Sequence, residues 1–85
     1  MQYPKIVSVK ILEKYVLLVH FSDHQIKKYN CEKLLENTMF TPLKDYAFFK
    51  NFHVDSSGSG IVWNDDLDIS EYEIWVNGVD ASVYA

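Results

Sequence analysis

The chain has 85 residues, of which 48% are hydrophobic and 15% aromatic; its formal charge is −4, and Cys31 is its one cysteine. That length supports one domain, residues 1–85, burying roughly 60% of the surface its unfolded form exposes, and so many large apolar side chains argue against disorder. A lone cysteine excludes the intramolecular disulfides that staple small secreted domains, and the longest apolar run, residues 15–19, falls far short of a membrane span of roughly 20 residues.

Residues 5–12 alternate Val7, Val9 and Ile11 with Ser8 and Lys10, the period-two pattern of a half-buried strand. After the polar break Glu13-Lys14, residues 15–21 are apolar on both faces except at His20, which predicts a central strand. Ser22, Asp23 and His24 form a turn. Residues 25–30 make a third strand at the sheet edge, where Lys27 and Lys28 discourage pairing with another chain. Asn30 caps a short helix over residues 31–37, with Cys31, Leu34 and Leu35 as its apolar stripe. Thr41-Pro42, a capping residue before proline at the first helical position, starts a second helix reaching residue 49.

Residues 52–55 and 61–63 flank five small or flexible residues, 56–60, and are expected to form a hairpin. Ser70-x-x-Glu73 is a capping box opening a last helix, and Gly78 stands where such a helix stops. Tyr72, Trp75, Val76 and Val79 share one face of it. Ile74 lies off that stripe, as a second core contact or as exposed apolar surface. The expected fold class is α+β: a small antiparallel sheet of three N-terminal strands plus a later hairpin, with short packed helices. No basic-then-apolar leader opens the chain, so a cytoplasmic location is expected.

Several runs carry a resemblance: Phe21-Ser22-Asp23, Leu34-Leu35, residues 40–45, Phe49, Val54-Asp55, Ile61-Val62-Trp63 and Asp68-Ile69-Ser70. From about Ile6 to Ile74 the chain resembles the bacterial family called domain of unknown function 2442. The resemblance implies a small α+β fold with no assigned activity. Some members of that family carry a helix-turn-helix domain after this module; with the sequence ending at Ala85, none is expected here. Others are encoded beside a second small protein, an arrangement suggestive of toxin–antitoxin pairs. The chain departs from the family in having His24 where glycine is usual, and Glu71 where proline is common.

Candidate chemistry is sparse. Asp65, Asp66 and Asp68 are the carboxylates best spaced to hold a divalent cation. Read from Asn64 as a calcium loop, however, the run has Ile69 where glycine is needed and Trp75 where glutamate is needed. His20, His24 and His53 have no metal-ligand spacing. Cys31 fits its helix's apolar stripe and is expected to be buried and inert. Neither a catalytic residue set nor a cofactor motif is found.

Charge is divided along the chain. Residues 5–50 hold eight lysines and five acids, a local charge of +3, whereas residues 51–85 hold seven acids and neither lysine nor arginine. The two halves either attract each other in the fold or present two faces to different partners. With no arginine and a negative total, direct nucleic-acid binding is not expected. The leading expectation is a non-enzymatic protein-binding or regulatory module, antitoxin-like if the resemblance holds. It would contact another protein or a second copy through Lys27, Lys28, Ile74 and Tyr84. The alternative is a small metal-dependent hydrolase or nuclease using Asp65, Asp66 and Asp68.

Overall fold

The alternation of residues 5–12 and the apolar run after it do become paired strands, β1 (Ile6–Glu13) and β2 (Val16–Phe21), in a computed structural model describing residues 4–84. β3 (Ile26–Asn30) pairs antiparallel with the far side of β2. β2 is central as expected, with Leu17 and Val19 fully buried on one face and Leu18 nearly so on the other. β1 departs from its sequence pattern at its start. Its register with β2 slips between Ile6 and Ser8, so that Ile6 is buried and Val7 is 64% exposed. A bulge of this kind flips the side-chain alternation for the residues on one side of it.

Both hairpin turns contain a residue with left-handed backbone, Tyr15 (φ 62) and His24 (φ 73). Phe21 and Gln25 close a three-residue loop, with the Phe21 N–H donating to the Gln25 carbonyl at 2.9 Å. Loops of this length place their last residue in the left-handed region, which glycine enters without the cost that a side chain adds. His24→Gly is expected to raise stability by about 0.5–1 kcal/mol by relieving that backbone, read as a higher urea midpoint. The equivalent change at Tyr15 has the opposite sign. Tyr15 is buried, its hydroxyl donates to the Lys44 carbonyl at 2.9 Å, and its ring meets Phe49 edge-on at 4.8 Å.

The next segment is tighter than expected. Residues 31–36 and 38–44 form two 3-10 helices, Cys31–Glu36 and Thr38–Lys44, instead of α-helices. Asn37 ends the first, its N–H donating to the Leu34 carbonyl, and caps the second through its side chain. Thr41 is therefore not a cap: Pro42 sits inside the second 3-10 helix, and Asp45 caps the four-residue α1 (Tyr46–Phe49).

The expected hairpin appears as β4 (His53–Val54) and β5 (Gly60–Asn64). A third strand joins it, β6 (Leu67–Ser70), which the sequence pattern did not predict. β6 runs directly into α2 (Glu71–Asn77), and the Ser70 hydroxyl caps it by accepting from the Glu73 N–H. The chain then adds β7 (Val79–Asp80) to β3, so Lys27 and Lys28 lie on a paired strand and not on the sheet edge. The result is α+β, with a four-stranded antiparallel sheet ordered β1-β2-β3-β7 and a three-stranded one ordered β4-β5-β6.

One buried cluster joins the sheets. It contains Leu17, Val19, Phe21, Leu43, Phe49, Ile61, Trp63, Ile69 and Ile74. The face of α2 that packs into it is the one carrying Ile74. Tyr72 and Val76, expected on the buried stripe, are exposed. Gly78 also differs from expectation: its φ of −72 and ψ of 156 are extended, open to any residue. The charge asymmetry is consumed partly inside the fold. Lys5 pairs with Glu71 at 3.0 Å, and Lys27 reaches the end of α2, donating to the Trp75 carbonyl at 2.8 Å.

Candidate functional site

β3, α2 and the first 3-10 helix meet around a cleft of about 440 Å³. Tyr29 lies on its floor because β3 alternates and the face carrying Lys27 and Tyr29 is turned toward α2. The Tyr29 hydroxyl donates to Glu73 Oε2 at 2.8 Å, and Asn77 Nδ2 donates to the same oxygen at 3.0 Å. One turn of helix separates Glu73 from Asn77, which lets both side chains reach a common point. Burial, reinforced by that bond to a carboxylate, pushes the Tyr29 hydroxyl pKa well above its ordinary value.

Lys28 and Lys33 form the basic rim of this cleft. Among the described residues neither takes part in an ion pair. Leu34 and Glu73 also border a second lobe of about 420 Å³, lined besides by Phe40 and by Asp68, Ile69 and Ser70 of β6. Lysines therefore border one lobe and Asp68 the other, with Leu34 and Glu73 common to both.

The residues singled out in the sequence separate. Lys28 borders the cleft although it belongs to the face of β3 opposite Tyr29, whereas Lys27, on the same face as Tyr29, does not line it and sets its Nζ 4.4 Å from the centroid of the Trp75 ring. Lys27 thus clamps the end of α2. Lys10 and Lys28 both lie across from Leu18 and share a face, which Lys27 and Tyr29 do not. Ile74 is fully buried and offers a partner nothing; that expectation is corrected, because the phase of α2 turns Ile74 into the core. Tyr84 is 49% exposed on the 3-10 helix Ser82–Tyr84, outside the cleft.

Asp65 and Asp66 fall in the turn between β5 and β6, and Asp68 stands on β6 opposite Val62. Among the described residues, no three histidines, cysteines or acids converge as a metal site. Nor is any helix among them long and apolar enough to cross a membrane. The sequence reading missed Glu73 as a cleft residue because its place in a capping box already accounted for it. Tyr29, Asn77, Lys33 and Phe40 carried no signal, since they converge only through tertiary packing.

Cys31 is buried as expected, and burial pushes its thiol up to about 12. The unfolded chain releases that proton near the ordinary thiol value of 9.0, and the folded chain holds it. The resulting stability is complete below about pH 9 and is lost as pH rises toward 12, because there the unfolded state binds fewer protons. Tyr29 acts in the same direction. Unfolding free energy is expected to fall by up to roughly 1.4 kcal/mol per pH unit per group across that window. Cys31→Ala should flatten the slope in urea titrations at pH 8, 9, 10 and 11; an unchanged slope would refute the assignment.

No curated protein and no solved structure matches the chain. The family model described as Protein of unknown function (DUF2442) matches residues 6–80, from the first residue of β1 to the last of β7. The resemblance seen in the sequence is thereby established, and with three strands, a hairpin and a capped helix all inside the match, the chain belongs to that family of proteins of unknown function.

Proposed function

We propose that the protein is a non-enzymatic binding module that holds a segment of another protein in the cleft between β3, α2 and the two 3-10 helices. The observation that carries this reading is the division of charge between two adjoining lobes that share Leu34 and Glu73. Lys28 and Lys33, without ion-pair partners among the described residues, border one lobe, Asp68 and Phe40 the other, and Leu34 both. Such a surface steers and orients a charged partner while apolar contacts hold it. The resemblance to gene-paired relatives supports the refinement that the partner is a small protein encoded beside this one, toward which the module acts as an antitoxin-like regulator.

Co-expression with the product of the adjacent gene tests both statements. The two are expected to co-purify at fixed stoichiometry. Lys33→Glu, a change at an exposed position, should weaken the complex about tenfold, a shift of about 1.4 kcal/mol, while leaving the melting temperature unchanged. Recovery of two separate species, or a complex indifferent to Lys33→Glu, would overturn the reading.

A further inference from the structure

We infer that β6 is the docking strand of this cleft: an extended segment of the partner pairs with its free edge, while Lys28 and Lys33 hold an acidic side chain beyond that edge. The inference rests on the binding-module reading above and names the chemistry of the segment bound.

Hydrogen bonding in an antiparallel pair alternates along each strand, so one known bond fixes the direction of every backbone group. The Asp55 N–H donates to the Gly60 carbonyl at 2.9 Å, which turns Gly60 toward β4 and Ile61 toward β6. Independently, the Glu71 N–H donates to the Ser59 carbonyl at 2.9 Å. Counted along the register of Gly60 with Ser70 and Ile61 with Ile69, that bond gives the same phase. Ile69 therefore faces β5, and the N–H and C=O of Asp68 and the N–H of Ser70 point outward. The Ser70 carbonyl enters the first turn of α2, as that of a capping residue does.

Those outward groups open into the cleft. Asp68, Ile69 and Ser70 all line its second lobe. Successive strand side chains alternate in direction, so three consecutive residues line one lobe only where the strand presents its edge. In a complete capping box the glutamate side chain would cover the Ser70 N–H. Here Glu73 gives Oε2 to Tyr29 and Asn77 instead. What faces the cleft is a donor, an acceptor and a second donor at two-residue spacing. That order matches an extended backbone. A helix, whose own groups are bonded internally, does not satisfy it.

Charge completes the description of the segment. Leu34 and Glu73 border both lobes, so a strand lying along β6 continues toward Lys28 and Lys33. The Glu73 charge is shared by two donors, whereas the two lysines have no ion-pair partner among the described residues. An acidic side chain fits there, and a basic one does not.

The test uses the full chain, labelled with nitrogen-15, and a terminally blocked eight-residue peptide alternating valine and threonine and ending in two glutamates. At millimolar peptide the amide signals of Asp68 and Ser70 are expected to move. Twins carrying a backbone N-methyl group at alternate positions of one parity should bind about tenfold more weakly, and those of the other parity should bind as before. A twin with lysine for glutamate should also bind more weakly, and Lys33→Glu should abolish the difference between the two. Absence of peptide binding, signal changes confined to other residues, indifference to N-methylation, or self-pairing seen as concentration-dependent dimers would each overturn the inference. If the adjacent gene product still binds in a Lys33-dependent way while N-methylation has no effect, strand pairing alone fails and the binding-module reading stands.

Discussion

Phe49→Ala is expected to remove about 3–5 kcal/mol of folding free energy, the range for emptying a buried phenylalanine site. Phe49 is fully buried at the end of α1, where aromatic rings from α1, β5 and the β1–β2 turn meet. Its ring lies 4.8 Å from Tyr15, 5.8 Å from Tyr46 and 5.9 Å from Trp63, centroid to centroid. Its carbonyl accepts the Trp63 indole N–H at 2.8 Å, so a cavity at the ring also loosens a buried polar contact. Domains of this size hold a net stability of roughly 5–10 kcal/mol, and the loss is therefore close to unfolding. With a urea slope near 1 kcal/mol/M, the midpoint followed by Trp63 fluorescence should fall by roughly 3–5 M. Phe49→Leu, which keeps most of the volume, should cost about 1–2 kcal/mol. A cost below 1 kcal/mol for the alanine variant would show that the core is centred elsewhere.

Gly78→Ala should be the second most damaging of the small substitutions, although its backbone angles argue the reverse. At φ −72 and ψ 156 alanine is conformationally welcome, and on chain entropy alone it would stabilise by about 0.4–1 kcal/mol. Space decides against it. A Cβ there would lie 2.5 Å from the Ile74 carbonyl oxygen and 3.1 Å from Lys27 Cβ. The first is backbone inside α2 and already accepts the Gly78 N–H at 2.8 Å, so it has no free direction in which to move. Relief requires α2 to shift from β3 or β7 to detach. The expected cost is about 1–3 kcal/mol, or a melting temperature lower by roughly 5–20 °C. A melting temperature equal to or above that of the parent would refute the close approach.

The legible parts of the fold are those whose signal is local. β2 was readable because a strand buried on both faces leaves an uninterrupted apolar run, and the cap at Ser70 because its partner is three residues away. β6 was hidden: its alternation of Leu67 and Ile69 with Asp68 and Ser70 spans four residues and follows two further acids, which resemble a turn. For α2, periodicity showed two possible apolar faces. The direct passage from β6 through Ser70 sets the helical phase and selects Ile74 over Tyr72 and Val76. Gly78 signalled a helix stop, yet its requirement is the lack of room between the Ile74 carbonyl and Lys27, the latter some fifty residues earlier. The cleft was the least legible feature. Lys28 and Asp68 were noted for other reasons, and Glu73 was explained by its cap, while the packing that unites them is written in no single segment.

The pairing of β7 with β3 also sets an order in time. Lys27 and Lys28 meet Asp80 and Val79 only after roughly 50 further residues have been made, an interval of about 3–10 s at cellular synthesis rates. Throughout it β3 is an open edge beside a finished hairpin, the condition in which a nascent chain pairs with its neighbours. Two adjacent lysines on that edge repel such neighbours until the last strand arrives. The same side chains then change employment, Lys27 becoming the clamp on α2 and Lys28 a wall of the cleft. The edge protection read from the sequence thus belongs to the growing chain, and the finished molecule has put its lysines to other uses.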